Sequence, residues 1–205
     1  CPNFDTVGPI TKTVEDSFYL YKILKGENLD PIENDILKNK SFLIDTSFLT
    51  QNVCDEVNKS FQLSVKKIAK SGAKIKEIDL DEVSESTELA KKLFPYEAYK
   101  SWKKIIEAHP KKMHPPVLSR FRGGISISHD DYLKTWNELK ILRKSFFLKM
   151  DQYDALISPT CPITPPSVQK LLESDDFFTK SNLLSLRNTR AVSYTHLRAH
   201  ETNSN

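Results

Sequence analysis

Glycine is scarce in this chain. Its 205 residues include five, at positions 8, 26, 72, 123 and 124, where ordinary usage of about 7% would give about 14. The shortage excludes a Walker loop and a G-x-G-x-x-G fingerprint, and with them the backbone cradles that such loops build around phosphates. Long apolar runs are missing too. None approaches the roughly 18–20 residues that cross a bilayer, so no membrane span is expected. Cysteine is sparse and odd in number: Cys1, Cys54 and Cys161 fit neither a CxxC pair nor a zinc spacing. They read as free thiols in a reducing, cytoplasmic compartment, and no signal peptide is visible. The formal charge of +3 is spread along the chain, without the basic stripe of a nucleic-acid binder. What is present is ordinary for a globular chain: 39% apolar and 28% charged residues, enough for one domain or two small ones.

The periodicities point to alternating helices and strands. Thr13 and Asp16 form a capping box before Val14, Phe18, Tyr21 and Leu24, which share a helix face that Gly26 ends. Phe42–Ile44 reads as a buried strand. Asp55 opens a helix with Val57, Phe61, Val65 and Ile68 on one face and Gly72 at its end, and Ile75–Leu80 reads as the next strand. Strand, helix and strand in this order predict a parallel unit and an α/β fold. Ser86–Glu107 is a helical pattern broken near Pro95, and Lys111–Arg122 a loop with two consecutive prolines. After a second capping box at Ser128 and Asp131 comes a long helix with Tyr132, Trp136, Leu139, Leu142, Phe146 and Met150 on one face. Ala155–Ile157 is a short buried strand that runs into Ser158-Pro159-Thr160-Cys161-Pro162, where proline ends the ladder. The loop after the C-terminal end of such a strand is where ligands usually bind in an α/β sheet.

Three candidate sites read better as structure. Arg122–Ser128 offers two glycines and two serines for an oxyanion loop with a nucleophile, but no base lies nearby and Ser128 caps a helix. Lys100, Lys103, Lys104, Lys111, Lys112, Arg120 and Arg122, with Trp102 and Phe121 among them, could contact nucleic acid. Glu97 and Glu107 interrupt the run, so it reads as a solvated face. His196 and His200 have a zinc-compatible spacing without a third ligand, so no metal is expected. They also lie in the string Val192–Thr202, which looks like a translated sequencing adapter and shows no apolar periodicity from Ser193 onward. Residues 192–205 are therefore expected to be a non-native tail, and 1–191 the native part.

Several segments carry a family resemblance. Asp5-Thr6-Val7-Gly8-Pro9-Ile10-Thr11-Lys12-Thr13-Val14-Glu15-Asp16 resembles the D-T-x-G-P-[ML]-[TA]-R-[TS]-V-x-D segment of the amidase signature family. Tyr153–Pro162 is similar to that family's [YF]-D-[VA]-L-[LI]-[TS]-P-[TA]-x-P, and Gly124-Ile125-Ser126 with Asp131-Tyr132 to its entry into a long helix. Leu186-Arg187-Asn188-Thr189-Arg190 resembles the start of its next block. Lys12 stands where the family has Arg, which loses a planar bidentate fork. Asn3 stands where Ser is common, with little effect expected.

The resemblance implies part of an amidase-signature fold, a mixed sheet flanked by helices, forming the C-terminal part of one larger domain. It implies hydrolysis of a small-molecule amide without a cofactor by a Ser–cis-Ser–Lys triad. Those three residues belong upstream of the D-T-x-G-P segment, so none is assigned here and the chain alone is expected to be inactive. It implies that the Pro159–Pro166 loop leaves a central strand near the substrate, with Thr160, Cys161 and Ile163 lining the pocket, while Asp5 and Thr6 order a loop. Two alternatives share these motifs: the A subunit of a tRNA-dependent amidotransferase, and a non-catalytic family member used as a binding scaffold. Part of a larger domain should also expose core faces.

Overall fold

At the centre lies strand β1 (Ser41–Asp45), whose last three residues are buried. In this computed structural model, which describes residues 1, 3–5, 7–32 and 37–195, β1 pairs in parallel with β2 (Lys74–Ile78) on one side and β3 (Ala155–Leu156) on the other. Helix α2 (Asp55–Lys70) makes the crossover between β1 and β2, as a parallel pair requires. The α/β architecture is as expected, and the described sheet is parallel throughout. Both outer strands are shorter than the sequence suggests. Ile78 ends β2 because Leu80, fully buried, already serves as the N-cap of the next helix. In β3, proline soon follows, although the Ile157 N–H still bonds the Leu43 carbonyl (2.9 Å). Among the described residues β3 lies at the edge of this sheet.

Local capping chemistry fixes the helices. In α1 (Val14–Lys25) the Thr13 hydroxyl accepts from the Asp16 N–H (3.1 Å), and Gly26 closes the helix at φ +68°, a conformation glycine adopts freely. The apolar face of α1 is nonetheless open: Val14 is 83% and Leu24 62% exposed, and Ile10 before it is fully exposed. α2 turns Val57, Phe61, Val65 and Ile68 inward, each half-buried.

Two expectations about proline are corrected. Helix α3 (Asp81–Ala108) runs unbroken through Pro95, starting before Ser86, and packs along the later helices His129–Met150 and Arg187–Thr195. Lys111–Arg122 is not a loop. It holds a 3-10 turn (Pro110–Lys112) and helix α4 (Pro115–Arg122), with both prolines in its first turn, where the N–H they lack has no intrahelical partner anyway. A second 3-10 turn, Gly123–Ser126, leads to α5 (His129–Met150), capped by the Ser128 hydroxyl on the Asp131 N–H (3.0 Å). The expected α5 face is the observed one: Leu139 and Phe146 are fully buried and the other four positions half-buried.

Two clusters form the core. Leu43, Leu49, Leu80, Val83, Phe146 and Ala191 join the sheet to α3, α5 and the C-terminal helix. Phe4, Ala90, Leu93, Leu139 and Tyr194 form the second, where Phe4 stacks on Trp136 at 5.1 Å. Asn3 contributes more than expected, donating from Nδ2 to the buried Glu97 at 2.8 Å. The remaining helices are α6 (Val168–Glu173), α7 (Asp175–Ser185) and α8 (Arg187–Thr195). In α8 the burial rhythm Asn188, Ala191, Tyr194, Thr195 continues past residue 192, without a break where the adapter-like string begins. His196, His200 and Thr6 lie outside the described residues.

Glu82 links α3 to α5, accepting from Ser145 Oγ (2.7 Å) and Lys149 Nζ (2.9 Å). Burial works to raise its pKa, but the Lys149 and Ser145 hydrogen bonds outweigh it and hold the carboxyl below its ordinary 4.5. A lowered folded-state pKa stabilises above the unfolded value, and the gain is lost as pH falls through that value and then the folded one. Acid titration followed by circular dichroism should therefore show a loss of stability setting in near pH 4.5 that is smaller in Glu82→Gln.

Candidate functional site

Because all three strands run the same way, their C-terminal ends gather at one edge of the sheet. Asp45 ends β1 there, fully buried. Its Oδ1 accepts from the Ser47 N–H (3.0 Å), the Ser47 hydroxyl (2.6 Å) and the Leu80 N–H (3.1 Å), and its Oδ2 from the Phe48 (3.0 Å) and Leu49 (2.7 Å) N–H groups. The carboxylate thus folds the chain after β1 into a tight turn and ties it to the start of α3.

The loop after β3 is held against that turn. Asp154 opens β3 by accepting from the Ser41 N–H (2.8 Å) and Lys40 Nζ (2.8 Å). The Lys40 contact, then that of Ser41, keeps its carboxyl below the ordinary carboxylate value. Asn188, buried in α8, donates from Nδ2 to the carbonyls of both Leu49 (2.8 Å) and Pro159 (2.7 Å). Pro162 is buried and its carbonyl accepts from the Cys54 N–H at the head of α2 (2.9 Å). Of the expected pocket residues, Thr160 is exposed and Ile163 half-buried, and the half-buried Cys161 thiol donates to the Ser185 carbonyl (3.2 Å). All three lie in the loop after β3. Asp5, exposed, bonds through its N–H to the Cys1 carbonyl (2.9 Å).

A cavity of about 740 Å³ opens on another side, between α3, α4, α7 and α8. Ala90, Phe94, Val117 and Leu186 are among its walls, together with Arg120 and Arg190; none of the expected pocket residues lines it. Sequence reasoning placed Arg120 in a solvated basic face and Arg190 in a family-like segment without a role. The one signal available was that neither arginine has an acidic residue three or four positions away. The other members of the basic run behave as a surface face: Arg122 pairs with Glu107 (2.7 Å), and Lys100 lies over the Tyr96 ring.

The Gly123–Ser128 serines are locally committed. Ser126 Oγ donates to the Gly123 carbonyl (3.0 Å) and Ser128 caps α5. Among the described residues no three His, Cys, Asp or Glu side chains are placed to hold a metal, and no helix is long and apolar enough to cross a membrane.

Known proteins share this arrangement. A solved amidase superimposes with a TM-score of 0.68 at 28% identity, over 78% of this chain and 36% of its own. The urea amidolyase of K. lactis shares the fold, with a TM-score of 0.71 at 16% identity over 88% of this chain and 11% of its own. In sequence, the 2-amino-5-chloromuconic acid deaminase of Comamonas testosteroni is 22% identical over 91% of this chain and 41% of its own length. The A subunit of the glutamyl-tRNA(Gln) amidotransferase of Geobacillus sp. (strain WCH70) is 23% identical over 78% of this chain and 40% of its own. The chain spans about two fifths of the length of these curated relatives. The sequence pattern of the Amidase family matches residues 1–204, and the chain belongs to that family.

Proposed function

We propose that the protein carrying this chain hydrolyses a linear carboxamide to the acid and ammonia or an amine. The work is done by a Ser–cis-Ser–Lys triad upstream of residue 1, with no cofactor. The observation that carries this reading is the Amidase match over residues 1–204. In it, the chain contributes sheet core and part of the substrate pocket. The loop bearing Thr160, Cys161 and Ile163 would form one wall. Its exit from the C-terminal end of a parallel strand supports that placement, as do its ties through Asn188 and Pro162. The three free thiols support a reducing, cytoplasmic compartment. The adapter-like string supports a native part ending at residue 191.

The 205-residue chain alone is expected to release no ammonia from simple amides. Assaying it with and without a serine-directed inhibitor checks this, and turnover that the inhibitor blocks would place the nucleophile inside the chain. A second reading rests on the likeness to the A subunit of the Geobacillus amidotransferase: a protein that passes ammonia to partner subunits, which would then copurify with it.

A further inference from the structure

The cavity between α3, α4, α7 and α8 contains a charge imbalance. Among the described residues no acidic side chain lines it, while Arg120 and Arg190 both do. The other cations at its rim are already engaged. Lys91 pairs with Glu88 (2.6 Å) and Lys180 with Asp176 (2.8 Å). Arg187 donates to Asn188 Oδ1 (3.0 Å) and lies over the Phe48 ring. Arg120 has a neutral partner, Asn182 Oδ1, at 2.5 Å, which orients one edge of its guanidinium. Among the described residues the Arg190 side chain has no carboxylate partner. Burial, and after it the charge of Arg120, lower the pKa of Arg190, so two like charges share one cavity.

An unneutralised guanidinium beside apolar walls is costly, and an anion removes that cost. The planar fork of arginine matches a carboxylate bidentately. The walls contributed by Ala90, Phe94, Val117 and Leu186 favour a ligand with a carbon body over a bare inorganic anion. The volume of about 740 Å³ falls within the range of small-molecule pockets.

We propose that this cavity binds the carboxylate of an amide-bearing organic acid, with Arg120 and Arg190 holding the anion and the apolar walls its carbon skeleton. That the ligand carries an amide rests on the hydrolase reading above; that it carries a carboxylate does not. Isothermal titration of the 205-residue chain with phenylacetate, phenylacetamide and inorganic phosphate tests it. Phenylacetate should bind roughly 10- to 100-fold more tightly than phenylacetamide, the span of charge-assisted hydrogen bonds. Arg190→Gln should remove that preference, and Arg190→Lys should restore part of it. If Arg190→Gln does not fold, as judged by circular dichroism, Arg120→Gln takes its place. The proposal is overturned by absent phenylacetate binding, by equal affinity for acid and amide, by phosphate binding as tightly as phenylacetate, or by indifference to the substitutions. Carboxylate binding without amide turnover in the longer protein would leave this site standing and remove the hydrolase reading. Turnover of neutral amides indifferent to both arginines would do the opposite.

Discussion

Asp45→Ala is expected to destabilise the folded chain by about 3–4 kcal/mol, among the largest effects of any single change. The wild-type carboxylate is fully buried and accepts five hydrogen bonds, four of them from backbone N–H groups. Alanine removes the acceptor of the Ser47, Phe48 and Leu49 N–H groups, while the Leu80 N–H keeps the Ser47 hydroxyl at 3.1 Å. Each unsatisfied buried donor costs about 1–3 kcal/mol, partly recovered by local relaxation. Asp45→Asn should lose less, about 2 kcal/mol, because one oxygen still accepts while the amide group faces backbone donors. Urea unfolding should show a lower midpoint at an unchanged slope. A midpoint within about 0.5 kcal/mol of wild type, the range of ordinary surface changes, would show that the turn after β1 does not depend on this carboxylate.

Gly124→Ala is the second large effect, at about 2–3 kcal/mol. The 3-10 turn Gly123–Ser126 lies directly on α3. A Cβ at residue 124 would sit 2.7 Å from the Pro95 carbonyl carbon, closer still to its oxygen, and 2.9 Å from Tyr99 Cβ. Two of those atoms are backbone in the middle of a long helix and cannot move aside cheaply. The turn would be lifted off α3 and carry α4 with it, displacing Val117 and Arg120 from the cavity wall. Gly123→Ala is the matched control: nothing lies within 4 Å of its Cβ position and its φ is −54°, so stability should change by less than about 0.5 kcal/mol. Thermal melts of the two variants side by side separate a packing requirement at residue 124 from a general need for glycine in this turn.

How much of this was legible in the sequence depended on how local the signal was. The Thr13 and Ser128 caps, the Gly26 stop and the inward face of α5 are written within a few residues of each other, and they form as read. The parallel β1–α2–β2 unit followed from element order. Proline misled where its effect depends on position. At Pro115 and Pro116 it starts a helix, and at Pro95 it is carried inside one whose packing along α5 and α8 outweighs a lost hydrogen bond. The glycine pair at 123–124 looked like an oxyanion loop because glycine marks close approach in either case; here only Gly124 is closely approached, by the Pro95 backbone and Tyr99. The cavity was invisible because its walls come from helices about 100 residues apart, from Ala90 to Arg190. Arg190 acquires its setting only when α8 folds against α3 and Arg120.

We propose that this chain is the structural and pocket-forming part of a serine-dependent amide hydrolase. The most direct test is ammonia release from a panel of simple carboxamides by the protein expressed with its upstream reading frame, with and without a serine-directed inhibitor. The account predicts turnover that the inhibitor abolishes and that the 205-residue chain alone lacks. No turnover on any amide, from a folded protein whose upstream sequence carries neither the lysine nor the serine-rich loop, would contradict it and leave a binding scaffold in its place.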